Sequence, residues 1–178
     1  LAAGLSLDEI PYWRDGTLEK YSPSGDYVVT KFARWAFEKF PKAEDVLGTQ
    51  MKAVGEAMSI GRHFKESFQK AIRSLEIDRY GLGAPEFGEL AADELRRRLA
   101  RPSSVRVFLM YEALRQGISV DELHELTHIH RWFIQNMQEL VELESQLSGR
   151  PWAEITNAEL RQAKQWGFAD RYLAQMLG

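Results

Sequence analysis

The chain has 178 residues, a formal net charge of −3 and 44% hydrophobic residues, enough apolar material for one medium domain or two small ones. The slight acidity gives no general pull toward nucleic acid or an anionic membrane, and the absence of cysteine excludes disulfides and thiolate metal ligands. No apolar run approaches the roughly 18 residues of a membrane span and no signal-peptide pattern opens the chain, so a reducing cytoplasmic setting is expected.

In chain order, LAAG lacks an initiator methionine and reads as the last turn of a helix closed by Gly4. The closing LAQMLG stops partway through an amphipathic pattern, and together the two ends predict a piece of a longer polypeptide. Ser6 followed by Glu9 makes a capping-box start for a short helix that Pro11 ends. Residues 14–25 read as a Gly, Ser and Pro loop, 27–32 (YVVTKF) as a strand, and 37–40 as a candidate extension of the sheet. Residues 51–60 alternate with apolar side chains on both faces and only Lys52 and Glu56 charged, the pattern of a strand covered on both sides. Glu56 stands out there, because a buried carboxylate is costly unless it is paired or borders water.

After Gly61 the period becomes helical. Phe64, Phe68, Ala71, Ile72 and Leu75 form one face, with Lys65, Glu66, Gln69, Lys70 and Arg73 outside. Helices are predicted over 63–76, 86–99, 104–116, 120–127, 131–147, 157–166 and 169–176, and only VRVFLMY (105–111) is ambiguous with a strand. Ser119 with Glu122 and Thr156 with Glu159 are capping boxes; Gly117 and Gly167 are C-terminal stops. Leu90, Leu95 and Leu99 mark one apolar face, and Phe133, Met137, Leu140, Val141 and Leu147 another. Residues 80–88, with three glycines and a proline, are the expected hinge between an α/β part and the helices.

Few constellations suggest chemistry. His124 and His128 share a helix face at a spacing that can chelate zinc, with His130 nearby, but no HExxH pattern surrounds them and a helix-end cluster is the better reading. The basic run LRRRLAR (95–101) reads as a solvated or interface face around two core leucines. The helix pair at 160–177 looks like a helix-turn-helix without a basic recognition helix. Trp132, Phe133, Trp152 and Trp166 are candidate core or subunit-interface anchors. No phosphate-binding loop or nucleophile-base set is present, so no catalytic residue and no metal ligand is assigned.

The run TQMKAVGEAMSIGRHFKESFQKAIRSLE (49–76) closely resembles the end of the first ATP-grasp half of the carbamoyl phosphate synthetase large subunit. LSLDEI and DYVVTKFARWAFEKF upstream, and ALRQGISVDEL, LTHIHRWFIQNMQELVELE and LRQAKQWGFADRYLA downstream, extend the resemblance over nearly the whole chain in the family's order. It implies a mainly α fold, a multihelical connection or oligomerisation domain (79–178) preceded by a short α/β remnant of an ATP-grasp synthetase domain (1–78). The parent would be the glutamine-hydrolysing ligase that makes carbamoyl phosphate from bicarbonate, glutamine-derived ammonia and two ATP with Mg²⁺ (or Mn²⁺), for arginine and pyrimidine synthesis. The family's nucleotide- and metal-binding residues lie upstream of Leu1, which leaves this piece without cofactor or catalysis. Its partners would be the remaining synthetase domains, a glutaminase small subunit and further copies of the chain, with neither nucleic acid nor membrane. A free-standing helical interaction or DNA-binding module is the alternative. For Glu56 the resemblance implies the lining of the carbamate tunnel, where a water-lined passage needs inward charge. From the residues alone, a buried ion pair with Lys52 or Arg62 is the favoured reading.

Overall fold

A computed structural model describes residues 1–13, 16–22, 25–83 and 85–177. Strand β1 (Val28–Trp35) pairs antiparallel with β2 (Ala53–Gly61), from Val28 opposite Gly61 to Trp35 opposite Ala53, with a bulge at Arg34/Trp35. The pleat sends Thr30, Phe32, Ala57 and Ser59 inward and Val29, Lys31, Glu56, Met58 and Ile60 outward. Helix α1 (Phe64–Ser74) lies on the inner face. Its buried Ser67 donates to Thr30 Oγ1 (2.8 Å) and to the Ser59 carbonyl (3.0 Å). Gly61 permits this approach, since a Cβ there would sit 2.6 Å from the Ser67 backbone nitrogen.

Beyond α1 the regular structure of the described chain is helical: α2 (Pro85–Gly88), α3 (Ala92–Leu99), α4 (Arg106–Arg115), α5 (Val120–Thr127), α6 (Arg131–Leu147), α7 (Asn157–Gln165) and α8 (Asp170–Leu177). Helix α4 is central. Every residue from Phe108 to Leu114 is buried, which explains why VRVFLMY lacks a clean helical period although it is a helix. Leu95 and Leu99 of α3, Leu123 of α5, and Ile134, Leu140 and Leu147 of α6 complete a core with almost no exposure. Each such side chain contributes about 1.5–3 kcal/mol of transfer free energy.

Ser119 accepts from the Glu122 backbone at the start of α5, and Thr156 and Glu159 form a full capping box on α7. Gly117 and Gly167 carry φ of +85° and +92° beyond the ends of α4 and α7.

Four expectations are corrected. The sheet is covered on one face only: among the described residues helices pack on the inner side, while Val29, Val54, Met58 and Ile60 stay exposed on the outer one. Phe37–Lys39 is a 3₁₀ turn and not a strand. The Glu9 carboxylate accepts from the Ser6 backbone nitrogen (2.9 Å) and hydroxyl (2.8 Å), but the Glu9 nitrogen donates to the Ser6 carbonyl and the chain turns there without forming a helix. The segment 86–99 is two helices, broken over residues 89–91.

The glycine-rich stretch at 80–88 is packed down. Leu82 is buried, and a Cβ on Gly83 would fall 2.1 Å from the Tyr172 hydroxyl oxygen. Ala84 in that stretch lies outside the described residues, as do Arg14, Asp15, Pro23 and Ser24 of the predicted 14–25 loop and the final Gly178.

Candidate functional site

Glu56 stands on the outer face of β2, opposite Ala33 of β1. Its carboxylate pairs with Lys31 Nζ at 2.8 Å, and the two side chains are 55% and 61% exposed. The expected partner Lys52 is occupied elsewhere, its Nζ donating to the Val46 carbonyl, and the Glu56 carboxylate is taken by Lys31 in a half-exposed setting. A buried pair with Lys52 or Arg62 is therefore overturned. Around this one ion pair, Val29, Val54, Met58 and Ile60 present apolar side chains to the outside. The outer face is thus an apolar plane with one carboxylate and one ammonium at its centre.

The four aromatic candidates divide. Trp132 and Phe133, at the start of α6, are 47% and 43% exposed and gather with Phe64, whose ring centroid lies 5.1 and 5.4 Å from theirs. Trp152 is 63% exposed in a 3₁₀ turn at the opposite end of α6. Trp166 is half-buried; the Lys65 ammonium sits 3.8 Å over its ring, and Gln69 Nε2 donates to its carbonyl at 2.9 Å. Trp166 therefore ties α7 to α1, while the other three are surface groups.

The histidines do not converge. His124 Nδ1 lies 2.8 Å from the Ile129 carbonyl, and His128 takes a left-handed conformation (φ +57°) that ends α5. His130 caps α6, its Nδ1 accepting from the Trp132 backbone nitrogen at 3.2 Å, which is the work an aspartate commonly does at that position. Among the described residues no group of three or more His, Asp or Glu is arranged to hold a metal ion. The arginines of LRRRLAR are matched by carboxylates: Arg96 by Asp93 and Glu122, Arg97 and Arg98 by Glu94, and Arg101 by Glu44. In the α7–α8 pair, Lys164 binds Asp170 at 2.7 Å and the Arg171 guanidinium stacks on Tyr80.

One buried polar cluster was not anticipated. Glu144 of α6 is 4% exposed; its Oε2 accepts from Tyr111 (2.8 Å) and Tyr172 (2.7 Å), and its Oε1 is 3.6 Å from Arg115 Nε. Burial pushes both tyrosine hydroxyls up from their ordinary pKa, and the adjoining Glu144 carboxylate adds to the shift. The cluster joins α4, α6 and α8, and through Tyr172 it seats Gly81 and Gly83. Spacing could have revealed it, since Glu144 falls four residues after Leu140 and three before Leu147, on the core stripe of α6. This arrangement supports structure; its groups hold one another and leave no free acid or base beside a reacting position.

Residues 56–178 match the family model described as the carbamoyl-phosphate synthetase large chain, oligomerisation domain. The match begins at Glu56 itself, inside β2, and takes in α1. The chain is 49% identical over 98% of its length to the carbamoyl phosphate synthase large chain of Archaeoglobus fulgidus, and 48% identical over 98% to that of a Synechocystis strain. It is 46% identical over its whole length to the N-terminal section of the large chain of Aquifex aeolicus. It spans 17% and 16% of the first two relatives and 32% of the third. The chain belongs to the carbamoyl-phosphate synthetase large-chain family and carries that family's oligomerisation domain.

Proposed function

We propose that the chain is the joint between the two synthetase halves of a carbamoyl phosphate synthetase large subunit, with residues 1–78 closing the first half and 79–178 forming the helical connection. The parent would be the ATP- and Mg²⁺- (or Mn²⁺-) dependent ligase that joins bicarbonate and ammonia, the latter released from glutamine by a small subunit. Its cytoplasmic product would supply arginine and pyrimidine synthesis. The joint contributes position and not chemistry.

The observation that carries this reading is the one-sided sheet. Its inner face is cemented to α1 and the helical body, while its outer face leaves an apolar plane that further synthetase residues would cover. Covering that plane would enclose Glu56 and Lys31 together, so that the pair would enter the protein interior already neutralised. A paired carboxylate in an apolar wall suits the margin of a hydrated passage, and this supports Glu56 as a lining residue of the carbamate tunnel. Trp132 with Phe133, and Trp152, are the exposed aromatic anchors suited to contacts with neighbouring domains or further copies of the chain.

The experiment is Glu56→Ala in the full-length large subunit, comparing bicarbonate-dependent ATP hydrolysis with overall carbamoyl phosphate synthesis. A tunnel role predicts a fall in the overall reaction with the partial reaction kept. A wild-type ratio of the two rates would sink the tunnel assignment.

A further inference from the structure

Between the inner face of the strand pair and the helical layer lies a cavity of about 400 Å³, a size at which small-molecule sites begin. Phe32 of β1, Phe64 and Phe68 of α1, Val107 and Met110 of α4, and Met137 of α6 give it largely hydrocarbon walls. The β1–β2 loop is clasped over one rim. Asp45 accepts from the Ser104 backbone nitrogen (2.9 Å) and hydroxyl (2.6 Å), and the Leu47 nitrogen donates to the Pro102 carbonyl (2.9 Å).

Among the described residues no carboxylate lines the cavity, and its cationic residues are Arg106 and the strand residue Lys31, whose side chain turns to the outer face. Lys31 is neutralised by Glu56 at 2.8 Å. Arg106 is not: among the described residues no carboxylate reaches it, and its Nη2 donates only to the carbonyls of Leu99 (3.2 Å) and Thr127 (3.1 Å). Those carbonyls belong to the ends of α3 and α5, so their partial charges favour a cation there without supplying a full counter-charge. Its Nε is buried with no hydrogen-bond partner among the described residues. Burial lowers the Arg106 pKa, the expected consequence of desolvating a guanidinium that has no anion beside it.

We propose that this cavity binds a medium-chain alkyl monocarboxylate, with the hydrocarbon against Phe64, Phe68 and Met110 and the carboxylate on Arg106. Charge complementarity selects that class. An apolar tail matches the walls, one negative head matches the one uncompensated cation, and an amine would meet like charge.

The test is calorimetric titration of the chain with sodium octanoate, 1-octanol and sodium acetate. Octanoate should bind saturably at one site, octanol about tenfold more weakly, since it lacks the charge-assisted bond, and acetate not measurably. Val107→Phe fills the cavity from a half-buried position; it should abolish octanoate binding with the helical spectrum and melting temperature retained. Arg106→Met should bind octanoate no better than octanol. Because that change also releases the ends of α3 and α5, Arg106→Lys serves beside it and should keep the preference for octanoate. Equal affinity for octanoate and octanol, binding without saturation, or undiminished binding by folded Val107→Phe would each overturn the proposal.

Discussion

The helices α4 and α6 and the strand pair β1–β2 are all rich in large apolar side chains, yet they dispose of them in opposite ways. In α4 and α6 these side chains are mutually enclosed: Leu109, Met110 and Tyr111 pack among Ile134, Met137, Leu140 and Leu147, all buried. In the strands only Ser59 and Gly61 are buried, while Val29, Val54, Met58 and Ile60 face outward. The helical body thus satisfies its own hydrophobic pattern. The strand pair carries a two-faced pattern and has a partner for one face. Apolar residues that the fold does not use for its own stability point to a surface completed by something else.

The largest expected effect separates the two regions directly. Leu140→Ala, at a position with no exposure, should cost about 2–5 kcal/mol in denaturant unfolding, the transfer loss plus the cavity left behind. Ile60→Ala, on the open sheet face, should cost no more than about 0.5 kcal/mol. Equal losses at the two sites would mean that this chain covers the outer face itself, as by pairing with a second copy.

An intermediate effect lies in the buried cluster of the helical body and has no counterpart in the strands. Tyr111 and Tyr172 have folded pKa values raised above the unfolded value near 10, chiefly by burial and secondarily by Glu144. Above that value the unfolded chain releases protons that the native state retains. Stability is therefore fully present below pH 10 and falls as pH rises further, by about 1.4 kcal/mol per pH unit for each tyrosine. Urea unfolding between pH 8 and 12 measures the slope, and Tyr172→Phe should reduce it by about one tyrosine's share. An unchanged slope would place the alkaline sensitivity elsewhere.

How much of this could be read in advance follows the same division. The helices were legible because their signals are local: capping pairs, terminal glycines and a period of 3.6 that a self-contained core enforces. Glu144 went unnoticed although it lies on the stripe of Leu140 and Leu147, because the stripe was traced through apolar residues alone and a carboxylate does not register in such a pattern. The strands were recognised, but their covering was not, since a pattern apolar on both faces states what a strand requires without saying which chain supplies it. Phe37 to Phe40 misled for a similar reason. Its aromatic residues suit a strand, but Pro41 follows directly and among the described residues no further strand is available to pair with it. The aromatic anchors were identified as core or interface by residue type alone, and only exposure separates Trp166 from Trp132, Phe133 and Trp152.

The smallest effect sharpens the comparison most, because it concerns the one ion pair on the open face. Glu56→Gln should change the stability of this chain by less than about 1 kcal/mol, since the Glu56 and Lys31 side chains are more than half exposed and water solvates Lys31 once its partner is neutral. Whatever change remains should shrink further as salt is raised from low ionic strength to about 1 M, where screening acts over roughly 3 Å. A buried pair behaves otherwise. Removing one member strands the other in a low dielectric and costs about 3–5 kcal/mol with little dependence on salt. Thermal and urea unfolding of Glu56→Gln at two salt concentrations distinguishes these cases. A loss of several kcal/mol that persists in high salt would mean that the outer face is enclosed in solution, and that the open plane between two differently finished regions is not a property of this chain.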